Sequence, residues 1–453
     1  MFFRPSGITP ESLFLSDHGG GPIMTVTEDE HGYGKGERFG ALLRKYRNIA
    51  GLTQQELADL SAVSIRAVRD LESGRVRRPR KVTVQLLASA LRIEEPHRVA
   101  LQIAATLPAL RTDEGQARLT ASLSATSGLI GRKAELLALG ELVRSRDRRM
   151  VAVTGLGGVG KTRLALEVAT RLNAKGVSVV WTPPSAHAVT NSRSLFVHEL
   201  VRNPQGDLRD LDALIDTGQT LLVIDDYDET SLPTERILQL LSLYPRLCVL
   251  LTTRGITPSV EASIFPLSPL ALPRTNHTYD AAGLAEVDAA RMIMTNIGLT
   301  RPRLKLDETA VAAIAALCQL LDGLPAALDA AGRLTLVYTP DELLDELSRD
   351  PFWTVLSAAD GCPVFKAGEV VRQAIEALGP SAWNLLRSVA AHDGCWSVEE
   401  SAALARQTPV DAARGIHCLL LRGLIRRVEH ANRSYFQVLT LVRSAITGGA
   451  QAV

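Results

Sequence analysis

The chain has 453 residues, of which 46% are hydrophobic and 22% charged, enough for about three domains with real cores and not the composition of a disordered chain. The formal net charge of +1 excludes a global field that draws in nucleic acid or membrane, so a charged partner has to meet a local patch. Five scattered cysteines, none in a C-x-x-C pair, argue against a disulfide framework or zinc site and for a reducing compartment, and no apolar run approaches the ~20 residues of a membrane span. The localisation expected from this is cytoplasmic, with no membrane partner.

In chain order, residues 1–36 are rich in Gly, Pro and acid, lack the long apolar region of a signal peptide, and read as a disordered leader in which Met24 is an alternative start. Residues 37–105 carry short, well-capped helical patterns. Within them, "LTQQELADLSAVSIRAVRDLESG" (Leu52–Gly74) predicts two helices across a tight turn. Thr53 and Glu56 form a T-x-x-E capping box, Leu57, Ala58, Val63, Val68 and Leu71 fall at core spacing, and Ser64 caps the second helix. That helix would present Ile65, Arg66 and Arg69 to base edges in a major groove, with Thr53 and Gln54 at phosphates and the capping Ser64 counted among the DNA-binding residues. From Arg66 to Lys81 seven basic residues (Arg66, Arg69, Arg75, Arg77, Arg78, Arg80, Lys81) stand against two acidic ones. Arg75, Arg77, Arg78 and Lys81 are expected to track a DNA backbone.

Residues 106–127 read as a polar linker. Residues 128–272 alternate apolar runs ("MVAVT", "VSVVW", "TLLVIDD", "LCVLLTT") with amphipathic stretches, the pattern of a parallel sheet covered by helices. Between the first run and the next helix, Gly155–Thr162 reads GLGGVGKT, a full match to G-x-x-x-x-G-K-[ST]. Gly155, Gly157, Gly158, Val159 and Gly160 would turn backbone N–H groups towards phosphates, and Arg163 extends the same turn. Lys161 would reach the β- and γ-phosphates, Thr162 would bind Mg²⁺, and the helix adds its positive dipole end. Asp225 would complete the Mg²⁺ shell and Asp226 would orient or deprotonate an attacking water. Arg254, at the end of the next strand, could sense a γ-phosphate. The absence of N-K-x-D favours adenine, hence ATP and ADP as ligands. Residues 273–355 read as a helical domain. Residues 356–453 read as helices followed by two strands around "HANR", a winged helix. The expected fold class is therefore multidomain α and α/β.

This order of motifs resembles the STAND (NB-ARC) ATPases. "LIGRKAEL" (Leu129–Leu136) is similar to the family's entry segment, which implies that Ile130, Gly131 and Arg132 lie against the adenine. "GLPAAL" (Gly323–Leu328) is similar to its G-L-P-L-A-L motif, which implies Pro325 near the nucleotide, in a domain resembling the family's first helical (ARC1) domain. The winged-helix M-H-D of the family corresponds here to Val438, Leu439 and Thr440, without the His that contacts ADP. No long repeat domain follows, which implies a separate sensor protein or a truncation. The N-terminal stretch resembles the XRE (Cro/C1-type) repressors, with Ala62 where the turn commonly has Gly. Together the resemblances imply an ATP/ADP-switched transcription regulator: a slow ATPase that forms a homo-oligomer in the ATP state and engages a double-stranded DNA operator. The alternative they leave open is a signalling or defence hub whose N-terminal helices are a protein adaptor. A regulator with a merely structural nucleotide is a third reading.

Overall fold

The computed structural model describes residues 38–76, 79–91, 129–145, 148–182, 218–228, 232–255, 262–275, 277–350, 366–392, 394–430 and 433–448, with a few single positions between them. The expected leader and linker, the boundary at 355/356, and Arg77 and Arg78 lie outside the described residues.

The N-terminal helices are α1 (Arg38–Ile49), α2 (Gln54–Ser61), α3 (Ile65–Glu72) and α4 (Lys81–Ala90). The capping box forms at α2: the Thr53 hydroxyl accepts from the Glu56 N–H, and the Glu56 carboxylate accepts from the Thr53 N–H. Ala62 turns the chain between α2 and α3 in the left-handed region, φ 53°, which costs a Cβ-bearing residue ~1 kcal/mol or more. The turn is affordable because Phe39, Leu43, Leu57, Val68, Leu71 and Leu87 close one apolar core around it. At the edge of that core the Glu72 carboxylate accepts from Arg47 Nε (2.6 Å) and Gln54 Nε2 (2.7 Å), tying α1, α2 and α3 together.

After α5 (Lys133–Arg144) comes the sheet: β1 (Met150–Thr154), β2 (Ser178–Thr182), β3 (Thr220–Tyr227), β4 (Leu247–Thr253) and β5 (Ser263–Pro266). All pairings are parallel, in the order β2-β3-β4-β1-β5, with α6 (Lys161–Ala174) and α7 (Thr234–Leu243) among the connections. The four apolar runs form β1 to β4, with β3, β4 and β1 inside the sheet and β2 at one edge. At the other edge β5, "SIFP", is short and half-exposed, so its sequence carries no strong apolar signal.

Five helices follow, α8 (Ala281–Ala285), α9 (Asp288–Thr300), α10 (Glu308–Leu320), α11 (Pro325–Leu334) and α12 (Pro340–Arg349). The C-terminal module has α13 (Ala367–Glu376), α14 (Pro380–Ala390), α15 (Val398–Ala405), α16 (Pro409–Arg422), the antiparallel hairpin β6 (Ile425–His430) and β7 (Arg433–Val438), and α17 (Thr440–Gly448). Strand periodicity divides the sheet's side chains. Val151, Val153, Leu221 and Leu250 join a core that runs on through Ile314 and Leu328 to Leu385 and Leu441 of the C-terminal module. Ala152, Leu222, Ile224 and Leu251 face the opposite layer with Ile237.

One buried charge fastens the C-terminal module. Asp322, 0% exposed and at φ 55°, ends α10 just before Gly323. Its carboxylate accepts from Arg426 Nη2 (2.6 Å) on β6 and from the Thr440 and Leu441 N–H groups (both 2.8 Å) at the start of α17. Burial pushes this carboxyl above its ordinary value, while Arg426 and the two N–H groups pull it back. Burial also raises the Cys248 and Cys318 thiols, to about 11 and about 12, which leaves them unreactive core filler. Replacing Asp322 with Ala strands a guanidinium and a helix N-terminus inside the protein. The expected loss is ~3–5 kcal/mol, read as a lower unfolding midpoint and faster amide exchange over residues 425–448. A loss below ~1 kcal/mol contradicts the assignment.

Candidate nucleotide site and helix-turn-helix surface

Parallel strands end on one edge, and the polar residues expected at a nucleotide collect there. Gly155, Gly158 and Gly160 take φ of 136°, 82° and 100°, which lets the loop after β1 wrap back onto the first turn of α6. Lys161, the first residue of α6 and 8% exposed, donates through Nζ to the Gly155 and Leu156 carbonyls at 2.8 and 3.0 Å. Burial lowers its pKa to about 8, against the raising influence of Asp226 and Asp225. Val159 is fully buried, and its N–H donates to the Leu156 carbonyl, so its contribution is to shape the loop. Arg163 lies half-buried on the same turn of α6.

The acidic strand meets this loop. The Thr162 hydroxyl donates to Asp225 Oδ1 at 2.8 Å, and the Thr252 hydroxyl donates to the same oxygen at 2.5 Å. Asp225 is 5% exposed, and burial raises its pKa. The Thr252 oxygen also accepts from the Asp226 N–H at 2.9 Å, so one β4 hydroxyl fixes both acids. The β3–β4 register shifts between Ile224 and Tyr227, and Asp226 sits there at φ 51°, a strained position that turns its side chain out of the strand's alternation. Arg254 Nε lies 3.3 Å from Asp226 Oδ1, and Arg254 Nη1 donates to Gln373 Oε1 of α13 at 2.6 Å. Arg254 is thus shared between the acid it was expected to assist and the C-terminal module.

The two flanking segments arrive as well, and Arg132 is held by the protein around it. It is 5% exposed, and its guanidinium donates to Glu135, to the Val159 carbonyl and to the Ser268 carbonyl. It braces the loop from behind and is committed to the protein. Gly131 (φ 68°) passes so close to α9 that a Cβ would stand 2.4 Å from the Asp288 side chain, and Ile130 beside it is half-buried. Pro325 opens α11 at its first turn, and the next residue's N–H, on Ala326, donates to the Gly158 carbonyl at 3.1 Å. The turn Val438–Thr440 is directed elsewhere: Leu439 is buried and the Thr440 N–H serves Asp322.

Sequence reasoning missed the groups that close this edge from above. A Cβ on Gly157 would meet Val370 Cγ1 of α13 at 2.6 Å, and one on Gly423 would meet the Leu156 nitrogen at 2.6 Å. Thr252 had a visible signal, a hydroxyl ending an apolar strand. Gln373, Val370 and Gly423 had none, because their meaning depends on which module packs over the loop. Among the described residues, no group of three or more His, Cys, Asp or Glu is placed to hold a metal, and no helix is long and apolar enough to cross a membrane.

On the N-terminal domain, Ser64 caps α3 by accepting from the Ala67 N–H. Arg66 and Arg69 are exposed on α3 beside half-buried Ile65, and Arg75 follows; the Arg66 and Arg75 side chains are 93% and 80% exposed. Among the described residues, only loose contacts to Asp70, at 3.9 and 3.6 Å, engage Arg66 and Arg75. Thr53 stands exposed at the start of α2, while Gln54 bridges Glu72 and, at 3.4 Å, Arg69. Lys81 begins α4.

Comparison with known proteins adds the following. A family model described as a helix-turn-helix domain matches residues 38–101. An uncharacterized protein of Mycobacterium tuberculosis is 30% identical over 240 residues, covering 51% of this chain and 57% of that protein. A putative HTH-type transcriptional regulator of the same species is 25% identical over 210 residues, covering 44% of this chain and 22% of its own length. The chain thus spans little more than half of the first of these relatives. Among solved structures, a STAND protein with a tetratricopeptide repeat sensor from Pyrococcus horikoshii aligns at TM-score 0.28 and 18% identity, covering 71% of this chain and 42% of that one. NtrX from Brucella abortus in complex with ATP aligns at 0.31 and 18%, covering 74% and 81%. Residues 38–101 form a domain of the helix-turn-helix family, carried on a multidomain chain with a central five-stranded parallel α/β sheet of the P-loop kind.

Proposed function

We propose that the chain is a transcription regulator whose affinity for a double-stranded DNA operator is set by whether ATP or ADP is bound. The observation that carries this reading is the covering of the phosphate loop by the C-terminal winged module, through Val370 on Gly157, Gly423 on Leu156 and Gln373 on Arg254. A ligand at that loop cannot be indifferent to the module's position, and differential affinity for two arrangements is what a switch requires.

The residues fit the ligands. Glycine-supported N–H groups and the start of α6 suit phosphates. Thr162 and Asp225 present hard oxygens 2.8 Å apart, the donor type Mg²⁺ takes, and these two would hold it. Bound there, the ion supplies neutralisation of phosphate charge. Lys161 adds a second positive charge, and Asp226 is the acid available to orient a water. In the arrangement described, Arg254 holds the Asp226 carboxylate, which makes hydrolysis slow and suits a reset step. Release of the winged module by ATP would free surfaces for homo-oligomerisation. Paired α3 helices would then bind two half-sites with an avidity that a lone module lacks.

Two expected outcomes test the reading. Lys161 has a pKa of about 8 in the ligand-free protein, and a phosphate ligand favours its charged form. Below pH 8 the charge is present. As pH rises through 8 it is lost, so ADP should bind about tenfold more weakly at pH 9 than at pH 7, with proton uptake on binding at the higher pH. Calorimetry in buffers of different ionisation enthalpy reads both, and a flat profile contradicts the role of Lys161. Changing both Arg66 and Arg69 to Ala should leave the circular dichroism spectrum intact, since both are exposed. It should weaken operator binding by about ten- to a hundredfold and reduce the salt slope. Unchanged DNA binding, with ATP-driven assembly retained, would favour the adaptor reading instead.

A further inference from the structure

The exposed face of α3 is a strongly charged surface. Arg66, Arg69 and Arg75 stand exposed on and just after the helix, and the acid beside them is Asp70, 3.9 Å from Arg66 and 3.6 Å from Arg75. From Arg66 to Lys81 the chain carries seven basic residues against two acidic ones, in a molecule whose formal net charge is +1. The opposite charge gathers just before α1. Residues 1–37 carry six acidic residues against two basic ones, and three of the acids, Glu28, Asp29 and Glu30, are consecutive. They follow Met24, so either start of the chain retains them.

The fold decides where that acidic segment joins the domain. Gly40, in the first turn of α1, is packed on the C-terminal end of α3: a Cβ there would overlap the Leu71 carbonyl oxygen and stand 2.6 Å from that of Glu72. Further along α1, Arg47 Nε lies 2.6 Å from Glu72 Oε1, which holds the helix to the same place. The start of α1 is therefore fixed beside the end of the helix that carries Arg66 and Arg69, and close in the chain to Arg75. Only the residues from Glu30 to Arg38 separate the acids from α1. Fully extended, that stretch spans up to ~28 Å, whereas the eight residues of α3 cover ~12 Å. The acids can reach all three arginines.

We propose that the exposed face of α3 is an intramolecular docking surface for the acidic segment Glu28–Glu30 of the same chain, which DNA has to displace. This rests on the DNA-binding reading above and adds a competitor that sets its threshold. An exposed ion pair is weak alone. Three carboxylates on a short tether act at a local concentration of about millimolar, which makes up for that weakness. DNA, with one phosphate charge per ~1.7 Å of duplex, wins the contest at a cost in affinity.

The test compares three full-length chains at fixed salt, each titrated onto a duplex of the DNA upstream of the chain's own gene. One is the wild type. The second carries Glu28→Gln, Asp29→Asn and Glu30→Gln. The third is a charge-matched control, Glu308→Gln, Asp345→Asn and Glu399→Gln, whose three positions are exposed on the helical and winged modules. Neutralising Glu28–Glu30 should tighten DNA binding by about tenfold, through loss of the tethered competitor. The control removes the same charge at a distance that salt screens, and should change binding less than about twofold. Unchanged unfolding midpoints would show that both variants fold. If the second chain binds as the wild type does, or gains no more than the control, the proposal is overturned while the DNA reading stands. If none of the three chains binds DNA, α3 serves another partner and both are overturned.

Discussion

A single buried carboxylate organises the C-terminal half of this protein. Asp322 joins the end of α10 to β6 and to the start of α17, with no exposed surface of its own. A charge in that place is tolerable only while all three donors are present. The same short segment runs directly into Gly323–Ala326, whose last N–H reaches the Gly158 carbonyl of the phosphate loop. Three residues therefore separate the anchor of the winged module from a group touching the loop. The module's position and the loop's geometry are two ends of one rigid connection, and a change at either has to be accommodated at the other.

The parallel sheet explains why the chemistry converges. Strand direction brings the ends of β1, β3 and β4 to one edge, and the crossovers place the start of α6 beside them. Residues far apart in sequence, such as Thr162, Asp225 and Thr252, then share one carboxylate oxygen. The strain at Asp226 is sustained because Thr252 holds its N–H from the neighbouring strand. Against this fixed edge the winged module packs with small contacts, Val370, Gln373 and Gly423.

Much of this was legible in the sequence because local rules carry it. The capping box at Thr53, the cap at Ser64, the glycine loop and the acid-ended strand each depend on residues close in the chain, and all take their local form in the structure. β1, β3 and β4 were readable because a strand buried on both faces is a continuous apolar run. The illegible parts depend on packing between distant segments. β5 is an edge strand with weak patterning. Arg132 matched a motif in type, and its hydrogen bonds to the Val159 and Ser268 carbonyls depend on segments distant in the chain.

The most direct measurement is titration of the purified protein onto the DNA upstream of its own gene at fixed salt, once with ADP and once with a non-hydrolysable ATP analogue. The account predicts tighter DNA binding with the ATP analogue by about tenfold, equivalent to ~1.4 kcal/mol of coupling between the two sites. Equal affinities with the two nucleotides would contradict it.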